Sequence, residues 1–371
     1  MSLKNMWKLC FRRRQDASVA RERRIRTLSS SSGPYLLLPM EVMGGGEAVN
    51  INLYDPRMEE SVKIRNQTLP PELLPPSTFV GSSRGWTACM NDEDFRIHLT
   101  NMFNPSASEN SHRVVSLPPF PCSSPTRMIK NVSLSSSPDQ DDEDCVVAVK
   151  FRGNYIVFCR PGDSTWTGYE SLHESLYATL VMYSRRDSSF YLPANIFHHT
   201  SALAWKMNRT ELPPDTHVLK LGPVQLPDSM PERERELLGL CCQTKHLVES
   251  PTGEIFVVVW YLQFTDSNRN PVSWLEQEKN PEKEYWGRTK RFIVYRQEDT
   301  TQCYTEDIGD LCIFLGKNES FCIPASSYPG LKPNSVYYMD GFVRVYHLAT
   351  GSIHRLPLQD LHTPFWLAPL Q

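Results

Sequence analysis

The sequence predicts an all-β fold, a β-propeller of six or seven blades, with seven favoured. Three observations predict it. Aromatics make up 11% of the 371 residues and stand beside 29 prolines, which suits short strands joined by many turns. Apolar and β-branched runs stop again and again at polar or Pro/Gly turns. Aromatic-ended strands meet such turns at Tyr54, Phe103, Phe158, Trp205, Tyr295 and Tyr346, at intervals of 49, 55, 47, 90 and 51 residues. The interval of 90 holds the run Ile255–Phe264, read as one further unit, and periods near 40–50 residues mark propeller blades. A string of unrelated β-sandwiches is the alternative, and the regular spacing speaks against it.

Residues 1–34 stand apart from the body at 35–371. Lys4, Lys8, Arg12, Arg13, Arg14, Arg21, Arg23, Arg24 and Arg26 face only Asp16 and Glu22, a net of +7, and with −3 overall the remainder carries −10. Leu3, Met6, Trp7, Cys10 and Phe11 recur at helical spacing among these basic residues. An Arg- and Ser-rich, acid-poor amphipathic stretch is the composition of an organellar transit peptide. Such a cationic helix is drawn by a membrane potential that is negative inside. Arg26, Leu28 and Ser29 fit a matrix-processing pattern with cleavage after Leu28. The expected address is the mitochondrial matrix; the alternatives are the chloroplast, or a basic tail in the cytoplasm or nucleus.

Strands follow in order. Tyr35–Leu38 and Ile51–Tyr54 come first, with Gly44–Gly46 as a turn between them. Trp86–Met90 and Phe95–Leu99 read as a hairpin, as do Cys145–Lys150 and Asn154–Cys159 around Arg152-Gly153. Leu176–Tyr183 pairs with Ser189–Leu192. Ile255–Tyr261 is β-branched and aromatic throughout, and Arg291–Tyr295, Leu311–Leu315, Ser335–Met339 and Phe342–His347 complete the strands. Pro231–Leu240 is the one helix candidate. Pro121–Glu143, Ser/Pro-rich and then acidic, reads as a solvated loop. Trp86, Trp166, Trp205, Trp260, Trp274 and Trp286 are expected in blade cores.

Several chemistries are excluded or set aside. The acidic body disfavours nucleic acid, which needs a basic face. No run of about 18 apolar residues suggests a membrane span. The ten cysteines contain no C-x-x-C spacing, so they read as reduced and structural, with Cys145, Cys159 and Cys312 inside apolar runs. No signal peptide is visible, so the sequons at Asn66, Asn131, Asn208 and Asn318 are set aside. Asp139–Asp144 lacks calcium-loop spacing, and His198-His199 would point to opposite faces of a strand. Neither metal nor cofactor is expected.

Gly81-Ser82-Ser83-Arg84-Gly85 matches the G-x-S-x-G nucleophile elbow, which would make Ser83 a hydrolase nucleophile with Asp187 and His198 as partners. That motif needs a helix after it, and Trp86–Met90 reads as strand. Leu69–Leu74 resembles the opening of an F-box, but Pro75-Pro76 ends any helix there.

Gly81–Trp86, Ser135–Asp139, Gly309–Gly316, Phe321–Ala325 and Leu331–Asp340 resemble the plant F-box-associated family called domain of unknown function 295. The positions that carry the likeness are Gly81, Gly85, Trp86, Gly309, Phe314, Gly316, Pro324, Lys332, Pro333, Asn334, Ser335 and Tyr337. The resemblance covers about residues 34–355 and implies a kelch-like propeller; in many members it follows an F-box and presents substrates for ubiquitination. With a basic address in place of the box, this chain resembles the organellar branch that lacks it. No catalytic residues are carried over. The expectation is a monomeric, non-catalytic propeller that binds an unidentified protein partner. An F-box-less adaptor or decoy in cytosol or nucleus is the alternative, and a Ser83 hydrolase the remote one.

Overall fold

A computed structural model describes residues 33–44, 48–120, 129–138, 145–170, 179–196, 199–206, 216–273, 276, 285–299, 301–358 and 365–370. These form a propeller of six sheets rather than seven. The first blade joins both ends of the chain. It contains β1 (Tyr35–Leu37), β2 (Glu41–Val42), β3 (Ala48–Asp55), β4 (Glu60–Thr68) and the final strand β27 (Phe365–Leu367). Tyr35 pairs with Leu367 and Leu37 with Phe365, so an antiparallel ladder closes the ring.

The second blade is β5 (Ser77–Ser83), β6 (Trp86–Asn91), β7 (Arg96–Thr100) and β8 (Val114–Pro119). The third is β9 (Ile129–Leu134), β10 (Val147–Phe151), β11 (Tyr155–Cys159) and β12 (Thr167–Glu170). The fourth is β13 (Met182–Ser184), β14 (Ser189–Ile196), β15 (His199–Lys206) and β16 (Thr216–Lys220). Helix α1 (Glu232–Gly239) leads to the fifth: β17 (Cys242–Glu249), β18 (Ile255–Thr265), β19 (Pro271–Val272), β20 (Trp286–Glu298) and β21 (Thr301–Thr305). The sixth is β22 (Leu311–Phe314), β23 (Phe321–Pro324), β24 (Ser335–Met339), β25 (Val343–His347) and β26 (Ile353–Arg355).

The seventh unit disappears for a specific reason. Ile255–Phe264 was counted as one unit and Tyr295 as the end of another. The two strands pair with each other, Val257 with Tyr295 and Val258 with Val294, inside one long-stranded blade.

The core is six separate clusters, one between each pair of neighbouring blades. This explains the continuous apolar run of β18. Successive side chains point to opposite faces. Ile255, Val257, Val259 and Tyr261 enter the cluster shared with the fourth blade, while Phe256, Val258, Trp260 and Leu262 enter that shared with the sixth. Strand β18 is therefore buried on both sides from Ile255 to Leu262 and shows no polar alternation there.

Two expectations need correction. Residues 129–134, read as part of a solvated loop, are the innermost strand of the third blade; only the flanking segments fall outside the described residues. Its polar Asn131 and Ser133 are fully buried because they face the axis. Trp286 is 52% exposed at the start of β20 instead of sitting in a core. Trp86, Trp205 and Trp260 are buried, Trp166 is half-buried and stacked on Phe120 at 4.5 Å, and Trp274 lies outside the described residues.

Candidate functional site: the axial plug and its pocket

The sixth blade is built unusually. Its strands β22 and β24 run parallel, and β23 lies inside β22. The segment 316–320 that joins β22 to β23 therefore turns toward the propeller axis. Gly316 permits the turn: a Cβ there would lie 2.7 Å from Asn318 Oδ1 and 2.8 Å from Met339 Cε.

From this position the segment touches all five other blades. Asn318 Oδ1 accepts the Trp366 N–H of the first blade at 3.3 Å. The Glu319 N–H donates to Ser82 O of the second at 2.8 Å. One Glu319 carboxylate oxygen accepts from Ser83 Oγ. The other accepts from Ser133 Oγ of the third blade at 2.8 Å and from the Tyr183 N–H of the fourth at 2.6 Å. Ser320 Oγ lies 3.3 Å from Nδ1 of buried His246 in the fifth, whose Nε2 meets Thr244 Oγ1 at 3.2 Å. Asn131 adds a lateral stitch, donating to Val181 O at 2.7 Å and accepting its N–H at 3.1 Å.

Burial governs the titration of these groups. Desolvation raises the Glu319 carboxyl above its ordinary value, against the opposing pull of Arg84 and the three donors. The same effect pushes His246 down to about 4, so its ring is neutral at physiological pH.

Beside the plug lies a cavity of about 430 Å³. Ser82, Ser83 and Arg84 form one wall, Tyr183 and Arg185 another, and the turn Glu249–Gly253 a third. Arg84 is fixed: its Nε donates to Leu134 O at 2.7 Å, and its guanidinium lies 5.4 Å from the Tyr183 ring centroid. Arg186 pairs with Asp187 at 3.0 Å and donates its backbone N–H to Glu249 at 3.1 Å. Arg185 is exposed at the rim. Desolvation lowers its pKa, Arg84 adds to that, and Glu249 and Glu319 oppose it.

Ser83 is no elbow nucleophile. Strand β6 follows it, and its Oγ accepts the Leu134 N–H at 3.0 Å while donating to Glu319. Its hydroxyl is a fastener between blades. The F-box-like Leu69–Leu74 contains only the short 3-10 turn Pro71–Leu73 before β5.

The motif residues sort into two groups. Gly81 lets β5 approach β9, since a Cβ would stand 3.0 Å from Val132 N. Gly85 forms the β5–β6 turn at φ +82°, and Trp86 is buried with Nε1 donating to Ser137 Oγ at 2.8 Å. In the sixth blade, Phe314 stacks on Phe321 and Tyr337, each at 4.8 Å, and Gly309 and Asn334 have positive φ. Tyr337 Oη accepts the Lys332 N–H at 2.8 Å, Ser335 Oγ donates to Pro333 O at 3.0 Å, and Pro324 ends β23. The fold thus brings Gly81–Trp86 and Phe314–Gly316 together at the plug. Glu319, Ser133, Tyr183 and Arg185 carry the site and escaped the sequence reading. The one signal was in β9, where Asn131 and Ser133 alternate with apolar residues; Glu319 and Arg185 lie in connections that show no such pattern. Arg26, Leu28, Ser29 and His198 lie outside the described residues.

Among solved structures, the chain is similar to TolB from Acinetobacter baumannii at 12% identity, covering 92% of this chain and 68% of that one, with a TM-score of 0.40. It is similar to the WD40 domain of SCAP from fission yeast at 9% identity, 91% and 70% coverage and a TM-score of 0.29. It is also similar to an engineered GH43 glycoside hydrolase at 10% identity, 74% and 53% coverage and a TM-score of 0.31. Likenesses so distant bear on neither partner nor chemistry. No curated protein matches. A family model described as the KIB1-4 beta-propeller matches residues 53–357, five of the six blades and part of the first, and the chain belongs to that family.

Proposed function

We propose that this chain is a non-catalytic propeller that binds a protein partner on the face carrying the axial pocket. The observation that carries the reading is the commitment of the axial groups. Ser83, Ser133 and Glu319 are tied to one another or to backbone, and His246 to the Ser320 and Thr244 hydroxyls, which leaves no free nucleophile and base at the plug among the described residues. Meanwhile arginine and tyrosine side chains, frequent anchors in protein interfaces, line the mouth. We place it as a monomer in the mitochondrial matrix, in an organellar branch of F-box-associated propellers; the excess of basic residues in 1–34 supports that address.

Photo-crosslinking tests the face. A photoreactive residue at exposed Thr252, in the pocket turn, is expected to capture one discrete partner in isolated mitochondria; at Ile353, on the outer strand β26, it is expected to capture none. Equal capture at both positions would refute the assignment. A fluorescent fusion of residues 1–40 tests the address, and diffuse cytosolic signal would overturn it.

A further inference from the structure

We infer that the axial pocket takes a single carboxylate side chain, an aspartate or glutamate presented by the partner and gripped by Arg84 and Arg185. The inference rests on the reading of this face as the binding face, and goes beyond it by naming the chemistry recognised.

Arg84 spends only Nε, on Leu134 O, so its two terminal nitrogens have no hydrogen-bond partner among the described residues. Arg185 has none at all there. Both carboxylates nearby are withdrawn from the mouth. Glu319 is buried beneath the plug with both oxygens occupied by three donors. Glu249 accepts the Arg186 N–H at 3.1 Å with one oxygen, and its Oε2 is buried with no hydrogen-bond partner. The open wall therefore offers guanidinium N–H groups that no described side chain engages. A planar carboxylate fits a guanidinium fork in bidentate fashion.

Charge selects a monoanion. Glu319 and Glu249 lie close enough to act on Arg185 and partly offset the positive charge at the mouth. A dianionic phosphate would meet those buried carboxylates with an excess of negative charge. The two guanidinium groups nevertheless repel each other across the mouth, a strain that one carboxylate between them relieves. Arg84 is preorganised by its backbone bond and by Tyr183, so little freedom is lost when it binds. A cavity of about 430 Å³ also leaves room for the residues flanking the acidic one.

The test uses the full chain and three capped tripeptides, Gly-Glu-Gly, Gly-Gln-Gly and Gly-phosphoserine-Gly, followed by ligand-observed NMR titration. The glutamate peptide is expected to bind saturably, and the other two at least tenfold more weakly. Arg185→Gln is expected to weaken the glutamate peptide at least tenfold; Arg96→Gln, on β7, is expected to change it less than twofold. Arg185 makes no hydrogen bond or ion pair among the described residues, so its variant should keep an unfolding midpoint close to that of the wild type. Equal binding of the glutamate and glutamine peptides, tighter binding of phosphoserine, or an unaffected Arg185→Gln would each overturn the inference. Partner capture at Thr252 with no glutamate binding would remove the carboxylate and leave the binding face standing. Glutamate binding with no capture would do the reverse.

Discussion

Replacing Glu319 by alanine should loosen the whole ring, because one carboxylate serves three blades. The substitution strips the acceptor from Ser83 Oγ, Ser133 Oγ and the Tyr183 N–H. A buried donor left without a partner costs about 1–3 kcal/mol. The two hydroxyls can rotate to other acceptors, but the Tyr183 N–H is fixed by the backbone. Removing a buried charge returns part of the loss, since desolvation already disfavours it. The net expectation is about 3 kcal/mol of destabilisation. For a cooperative domain of this size, that lowers the thermal midpoint by about 4–5 °C. Glu319→Gln should lose less, about 1 kcal/mol. Its amide oxygen can still serve Ser133 and Tyr183, and only the contact with Ser83 must reverse. The assay is urea unfolding of full chain with an unchanged m-value, alongside calorimetry. The carboxylate's raised pKa fixes the sign of the pH effect. Between the ordinary 4.5 and the raised native value, the folded protein holds a proton that the unfolded chain has lost. Wild-type stability therefore falls as pH rises through that window and recovers on acidification, while Glu319→Gln lacks this component. The hub is refuted if Glu319→Ala unfolds within 0.5 kcal/mol (about 1 °C) of wild type, or if Gln costs as much as Ala.

Other expectations follow from buried or constrained positions. Lys150 is fully buried, donates to Phe151 O and Gly153 O, and is pushed down to about 7 by desolvation and then by Lys130. Unfolded Lys150 holds its proton up to about 10.5, so wild-type stability should rise between pH 7 and 10.5. Lys150→Met should flatten that rise and gain about 1–3 kcal/mol at pH 7, read from unfolding midpoints across pH. Gly85→Ala should cost about 2–4 kcal/mol, because φ is +82° and the new Cβ would stand 2.7 Å from Asn104 Nδ2 and 2.8 Å from Leu370 Cδ2. Gly309→Ala, at φ +67° in open space, should cost only about 1 kcal/mol, and equal losses would mean that space does not matter. Deleting residues 365–371 removes β27 from Tyr35–Leu37 and should replace one cooperative transition by early, protease-sensitive melting of the first blade.

The periodic part of the fold was legible because blade strands obey local rules. The hairpins at Trp86–Thr100 and Val147–Cys159, the helix Glu232–Gly239 and the run Ile255–Thr265 all appear where residue type and turn placement put them. Blade number was less legible, because an aromatic strand end does not say which strand lies beside it. The pairing of β18 with β20 turned two counted units into one blade. The inner strand at 129–134 was hidden by its own polarity. Asn131 and Ser133 look like loop residues until the axis supplies their partners.

Local order thus came from the chain itself: alternating and continuous apolar runs, Gly and Pro turns, and an acidic body behind a basic N-terminal stretch are properties of neighbouring residues. The axial site came from the tertiary structure alone. Ser83, Ser133 and Tyr183 meet Glu319 across separations of 136 to 236 residues, and only closing six sheets into a ring places them within hydrogen-bonding distance. Composition and spacing hold no record of such meetings, because what selects those residues is a neighbour from another blade.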